Sequence, residues 1–176
     1  MDLFIGMEIS DCRSESSGAN LVTDIFFLAI GIGIIAGLRS FTAPAVVAWA
    51  AHFGWLSLPD SPLGFIGSTT AVAIFSLLAI GELVADKLPM TPNRTAPAPL
   101  VARIITGALC GACVWAAAGK SLIAGALVGG TAGVIGAFAG YKVRRRLVNK
   151  RQIHDFVVAV CEDLFAIGLG FFLVSR

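Results

Sequence analysis

The chain has 176 residues, the length of one ordinary domain, with 57% of them in the set AVILMFWYC, 14% charged and a mean hydropathy of +0.87. Its charged share is about half the ~25% of an average soluble domain, and thirteen Lys and Arg against eleven Asp and Glu leave a net charge of only +2. That is too little for a nucleic-acid binder whose affinity comes from neutralising phosphates; disorder is excluded by the apolar content, and a disulfide scaffold by three of the four cysteines (Cys110, Cys113 and Cys161) falling in apolar runs.

In chain order, residues 1–20 are polar and acidic, with Asp2, Glu8, Asp11 and Glu15 against Arg13 alone. No positive stretch precedes an apolar core, so this segment reads as a flexible acidic tail rather than a secretory signal. A helix needs ~20 mostly apolar residues to cross the hydrocarbon core. Five stretches meet or nearly meet that length: 21–38, 65–84, 100–118, 121–141 and 156–174. A sixth, 41–58, contains Pro44, His52 and Gly54 and reads as either a short span or a re-entrant helix. Thr42 followed by Pro44 suits its start, because a hydroxyl can cap free N–H groups and proline is tolerated in a first turn. Twelve residues, 88–99, carry four prolines and read as a stiff connection holding Arg94.

Lys and Arg in short loops stay on the cytoplasmic side. The basic loops 87–103, with three such residues, and 142–151, with six, are therefore expected to be cytoplasmic. Comparing the chain with itself at an offset of about 80 residues aligns Ala36 to Ser40 with Ala118 to Ser121, and Ala79 to Leu83 with Ala159 to Asp163. Arg39 to Glu82 is 43 positions and Lys120 to Glu162 is 42. Two halves of three helices each, about 21–92 and 98–174, would be inverted relative to one another, an arrangement found in many transporters. The expected fold is thus an all-α integral membrane protein of six transmembrane helices in one polytopic domain, 21–176, as two weak inverted three-helix repeats. Five spans plus a re-entrant helix is the alternative.

Glycines recur at four-residue spacing: Gly33 and Gly37; Gly107 and Gly111; Gly125, Gly129 and Gly133; Gly136 and Gly140. Residues four apart share a helix face, and missing side chains let backbones approach closely. Tight packing within the chain is the expected use of these faces, and a homodimer the alternative.

Ionised groups in a bilayer cost roughly 2.5–3.5 kcal/mol each on insertion scales, so they face protein or water. Glu82 and Asp86 stand four apart on one face near a helix end and repel unless a cation, a proton or a basic neighbour sits between them. Arg39, Lys87, Arg94 and Arg103 are candidate counter-charges. Glu162 and Asp163 are adjacent and point ~100° apart on a helix, so one is expected to face a site and the other to bind a neighbouring helix. The candidate binding or transport set is Glu82, Asp86, Glu162, Asp163, Arg39, Arg94 and Arg103. The competing use of the acids is as interhelical fasteners on Arg39, Arg103 and Lys142. His52 reads as interfacial beside Trp49 and Trp55, Asp24 as lying at headgroup level, and Cys110 and Cys113 as packing groups.

Residues Gly37 to Pro44, Gly81 to Pro89 continuing through Thr91 to Thr95, Arg103, and the pair Glu162 and Asp163 resemble the small bacterial membrane proteins of the four-one-two-six domain-of-unknown-function family. The likeness runs from about Leu21 to Val174. It implies a multi-pass protein of the bacterial inner membrane and carries no mechanism.

Three functions are open to such a chain. The favoured one is a transporter or channel for a small ion or polar solute, with buried carboxylates at its centre and no cofactor. A magnesium-dependent membrane enzyme acting on a phosphorylated lipid or nucleotide would hold its metal on Glu82 and Asp86. A structural or accessory subunit would bind a larger membrane partner through its glycine faces.

Overall fold

The computed structural model describes residues 22–58, 61–85, 97–151 and 155–175. The expectations for the acidic tail, for Asp86, Lys87 and Arg94, and for most of the proline-rich connection lie outside the described residues. Six helices follow one another: α1 Val22–Leu38, α2 Thr42–His52, α3 Thr69–Ala85, α4 Pro97–Ala117, α5 Leu122–Arg151 and α6 Asp155–Val174, with one 3₁₀ turn, Gly64–Gly67, between α2 and α3. No strand occurs among the described residues. Among the described residues, two helices are long and apolar enough to cross a membrane, α4 and the segment Leu122–Leu147 of α5; α1 and α3 are shorter apolar helices.

Four boundaries differ from the sequence expectation, each for a local reason. The third helix begins at Thr69 rather than 65, because Gly64–Gly67 form the 3₁₀ turn and Ser68 is extended. The second helix stops at His52 rather than near 58 because Gly54 takes a left-handed conformation (φ 77°). The Gly54 N–H then bonds the Ala51 carbonyl at 3.2 Å and the Trp55 N–H the Ala50 carbonyl at 2.9 Å, closing the orphan carbonyls of the helix end. Gly119 (φ 65°) ends α4 through the same pair of bonds, Gly119 to Ala116 and Lys120 to Trp115. At its other end α4 begins at Pro97 and not at 100, since prolines fit a first turn, where N–H groups have no helical partner. The expected basic loop 142–151 is instead the last part of α5. Nothing between Lys142 and Arg151 breaks a helix, and Arg, Lys and Leu favour one. Residues 97–103 of the other expected loop are likewise the first turns of α4.

The glycine faces pack within the chain. A Cβ on Gly107 would lie 2.7 Å from the Gly129 carbonyl oxygen, and one on Gly125 would lie 2.5 Å from that of Gly111. α4 and α5 therefore run antiparallel, in the most extensive contact among the helices from α2 to α6. A Cβ on Gly33 would lie 2.6 Å from the same Gly129 oxygen, and Gly37 faces Gly133 and Ala137, so α1 lies parallel to α5. Gly33, Gly37, Gly107, Gly111, Gly125, Gly129 and Gly136 thus have the backbone of another helix where a side chain would stand. Gly81 and Gly168 instead face open space.

α2 occupies the middle and is buried on nearly all sides, with α3, α4, α6 and the 3₁₀ turn packed around it. A helix apolar all round belongs in an interior. The outer surface carries Phe27, Leu77, Ile123, Leu127 and Leu164, each more than 60% exposed. At the end of the bundle formed by the C-terminus of α2, Trp49, His52, Phe53 and Trp55 form a chain of ring contacts. His52 Nδ1 there lies 3.0 Å from the Gly67 carbonyl oxygen.

Candidate functional site: a charged layer at the break between α1 and α2

Only Arg39, Ser40 and Phe41 separate α1 from α2. The Arg39 N–H continues the ladder of α1, bonding the Ile35 carbonyl at 2.8 Å. The N–H groups of Ser40 and Phe41 belong to the start of α2, where a helix leaves donors without internal partners. Phe41 is the N-cap residue and supplies no side-chain acceptor. Thr42 does not cap as expected, because it is the first helical residue, one place too late for its hydroxyl to serve. Glu82, three residues before the end of α3, does so instead: Oε1 accepts the Ser40 N–H at 2.7 Å and Oε2 the Phe41 N–H at 2.9 Å. A carboxylate there satisfies two donors and meets the positive end of the helix dipole.

The Arg39 side chain turns the other way. Its guanidinium Nη2 donates to Asp163 Oδ1 of α6, and both side chains are buried. One turn of three residues is thus fastened to α3 through its backbone and to α6 through its side chain. Arg103 of α4 is buried at the same level, since Gly133 meets both the Arg103 carbonyl and Gly37. Among the described candidate residues, Arg39, Glu82 and Asp163 converge on the turn, and Arg103 is buried at that level on α4. Lys142, named as a possible partner for the acids, is exposed on α5.

Glu162 takes a different position from its neighbour. It is half-buried and lines a groove of about 570 Å³ formed by the last turns of α1, by α5 from Gly136 to Leu147, and by α6. Ile34, Leu38, Val143 and Phe165 make its walls apolar, and Arg144 is its basic residue. Lys120, aligned with Arg39 by the repeat comparison, is exposed beyond the far end of α4, where α5 begins. Glu82 and Glu162 are not at equivalent positions: Glu82 ends its helix, whereas Glu162 lies in the first half of α6.

The metal-holding pair Glu82 and Asp86 has its second member outside the described residues. Both oxygens of the first are directed at the start of α2. No group of three or more His, Cys, Asp or Glu that could hold a metal ion occurs among the described residues. Cys110 and Cys113 are buried free thiols in the core, and Cys161 is exposed beside the groove.

Sequence reasoning missed two features. One is the role of Glu82 as a cap supplied from another helix; the apolar residue Phe41 at the N-cap position was its signal, since a buried helix start without an acceptor of its own needs one from elsewhere. The other is Arg144 facing the groove, which sits inside a basic run and carries no mark distinguishing it from Arg145 or Arg146.

No curated protein and no solved structure matches the chain. Residues 26–175, nearly all that the six helices occupy, match the model of a family described as a domain of unknown function, DUF4126. The chain belongs to that family.

Proposed function

We propose that the chain is an integral membrane protein of the bacterial inner membrane that crosses the bilayer six times and moves a small ion or polar solute past the layer of Arg39, Glu82, Arg103 and Asp163. The alternating helix directions and the apolar outer surface support six crossings. α2 has 11 residues and covers only about 16 Å at 1.5 Å per residue, half of the ~30 Å core. The segment after it, including the 3₁₀ turn, makes up the rest, because Glu82 meets the start of α2 while Gly67 lies against Ala51 at its end. The basic ends of α4 and α5 lie together, which supports a cytoplasmic side for both. Two three-helix halves of opposite orientation follow from that order of crossings, although 11 residues in α2 against 30 in α5 make them unequal.

The observation that carries the transport reading is the burial of the break between α1 and α2, where Arg39 is 1% and Ser40 5% exposed. Gly37 packs on Ala137, so Arg39 to Phe41 lie level with about residues 139–141 of α5, just inside the basic rim that begins at Lys142. Irregular backbone within a membrane protein is tolerated where it is buried in protein or lines a cavity, and interrupted helices commonly place charges and backbone groups at a solute site. Glu162, beside Asp163, is the carboxylate that lines the groove between α1, α5 and α6.

Purified protein in liposomes tests this by flux of protons, Na⁺, K⁺ and Cl⁻. At least one ion is expected to move, with a fall of tenfold or more in Glu162→Gln and in Glu82→Gln. Glu162→Gln should keep the wild-type melting temperature, separating lost flux from lost fold. Absence of flux for all four ions, or wild-type flux in both variants, overturns the reading. One observation favours a structural or accessory subunit instead: Glu82 and Asp163 already find partners within their own chain. Stable co-purification with a larger membrane protein, together with silent liposomes, is the mark of that alternative.

A further inference from the structure

We infer that α3 is a hinged arm, anchored at its first turn and latched at its other end by the Glu82 carboxylate, and that release of the latch uncovers the break between α1 and α2. The inference rests on the membrane reading above, because it needs the exposed face of α3 to lie in lipid, and it does not depend on transport. Its first support is how unevenly α3 is buried. Its two buried residues, Ala71 and Val72, stand in its first turn. From Ala73 to Ala85 none is buried, and Leu77, Ile80 and Val84 are each more than half exposed. That stretch is about 18 Å long at 1.5 Å per residue. Gly81, one residue before the latch, has nothing within 4 Å of where its Cβ would stand. At the anchored end α3 packs against the 3₁₀ turn, and Ser68 between them is extended. Hinges absorb their rotation in such residues at the ends of elements.

The second support is the chemistry of the latch. Midway along α3, Trp49 Nε1 donates to Ser76 Oγ at 3.1 Å. Beyond it, Glu82 joins α3 to the start of α2 by accepting the N–H groups of Ser40 and Phe41 at 2.7 and 2.9 Å. Phe41, at the N-cap, supplies no acceptor that could take over. Both bonds depend on one charged group. As a carboxylate, Glu82 accepts from two donors and answers the positive end of the helix dipole. With the charge removed, one of its two positions becomes a donor facing a donor. The elements packed on α3 carry one titratable group, His52, at the opposite end of α2, and Arg39, beside the latched N–H groups, donates to Asp163. The latch therefore answers to the state of Glu82, and the anchored end does not.

Double electron–electron resonance on the full-length protein in lipid nanodiscs reads the arm directly, in a Cys12→Ser, Cys161→Ser background that keeps the buried Cys110 and Cys113. One pair of spin labels, on Val84→Cys and Lys142→Cys, spans the latched end; the other, on Thr70→Cys and Lys120→Cys, spans the anchored end, and all four positions are exposed. With Glu82 intact, the first pair should give one distance. Glu82→Gln should add a second distance longer by about 5 Å or more, the pitch of one helical turn. Its population should rise about tenfold or more, as expected for the loss of one charge-assisted hydrogen bond. The second pair should keep its distance. Glu82→Asp, with the charge on a side chain one methylene shorter, should fall between the two; if Glu82→Gln does not fold, Glu82→Asp carries the test, with the first pair lengthening and the second unchanged. Unchanged distances at the latched end make Glu82 a structural cap alone, and lengthening of both pairs means that α3 comes away whole; either result overturns the inference. No ion gradient enters the measurement, so silent liposomes leave an opening arm standing, and an arm that stays closed leaves the flux reading standing.

Discussion

The contact between α4 and α5 and the junction of α1, α2, α3 and α6 hold the same bundle together by opposite means. The first is made by small residues: backbones approach through Gly107, Gly111, Gly125 and Gly129, and stability comes from the fit of small surfaces. The second is built on Arg39, Glu82 and Asp163, and without the two carboxylates it would leave two N–H donors and the Arg39 guanidinium buried. A straight helix pair can be closed by removing side chains. A helix interruption cannot, since it exposes backbone groups that need acceptors wherever water is absent. The charges are thus placed where the chain turns, and the glycines where it does not.

Removing one member of the buried ion pair should have the largest effect. Asp163→Leu leaves the Arg39 guanidinium buried opposite hydrocarbon, a change worth about 3–5 kcal/mol in buried pairs. The double variant Arg39→Met with Asp163→Leu removes both charges and should recover most of that loss, because replacing a whole buried pair by apolar groups is often near neutral. Thermal melting in one detergent measures all three proteins. If the double variant is as unstable as the single one, Arg39 does more for the turn than answer Asp163.

Next in size is Gly129→Ala. The added Cβ would lie 2.9 Å from Gly111 Cα and 3.0 Å from Gly111 N, and it would strike the Gly107 carbonyl oxygen. Every neighbour is backbone, so no rotamer change relieves the clash and α4 must move away from α5. A destabilisation of about 1–3 kcal/mol is expected from overpacking of this kind, read as a lower melting temperature and a broader elution profile. A gain in stability would mean that the two helices are not in contact.

The two regions were unequally legible in the sequence. The glycine contacts are periodic and local on each helix, so the spacing of Gly125, Gly129 and Gly133 marks the face before any partner is known. The charged contacts carry no such pattern: Arg39 and Asp163 are 124 positions apart, and Glu82 reaches Ser40 across 42. Listing the acids and the arginines was possible from composition along apolar runs, but pairing them was not, because several pairings have equal charge balance and only the packing of α6 against the turn chooses among them. Helix ends divided in the same way. Gly54 sits at a position that stops α2 locally, yet reading 41–58 as one apolar stretch hid it. The extension of α5 through Arg151 was hidden by treating basic residues as loop residues, although nothing in that run opposes a helix.

The smallest expected effect sharpens the comparison most. Gly81 and Gly168 stand in helices as the buried glycines do, but a Cβ at either would meet nothing within 4 Å. Alanine in a helix interior is favoured over glycine by about 0.8–1 kcal/mol, and no contact opposes that gain here. Gly81→Ala and Gly168→Ala should each be neutral or stabilising by up to about 1 kcal/mol, the reverse in sign of Gly129→Ala. The same pair tests association between copies, since Gly81 and Gly168 are helix glycines whose faces are open within the chain. Melting temperature and oligomeric state should therefore be measured together. If Gly168→Ala lowers the melting temperature and also shifts the protein to a smaller species, another helix lies against that face in the membrane, and the contrast between packed and open glycines belongs to the isolated chain alone.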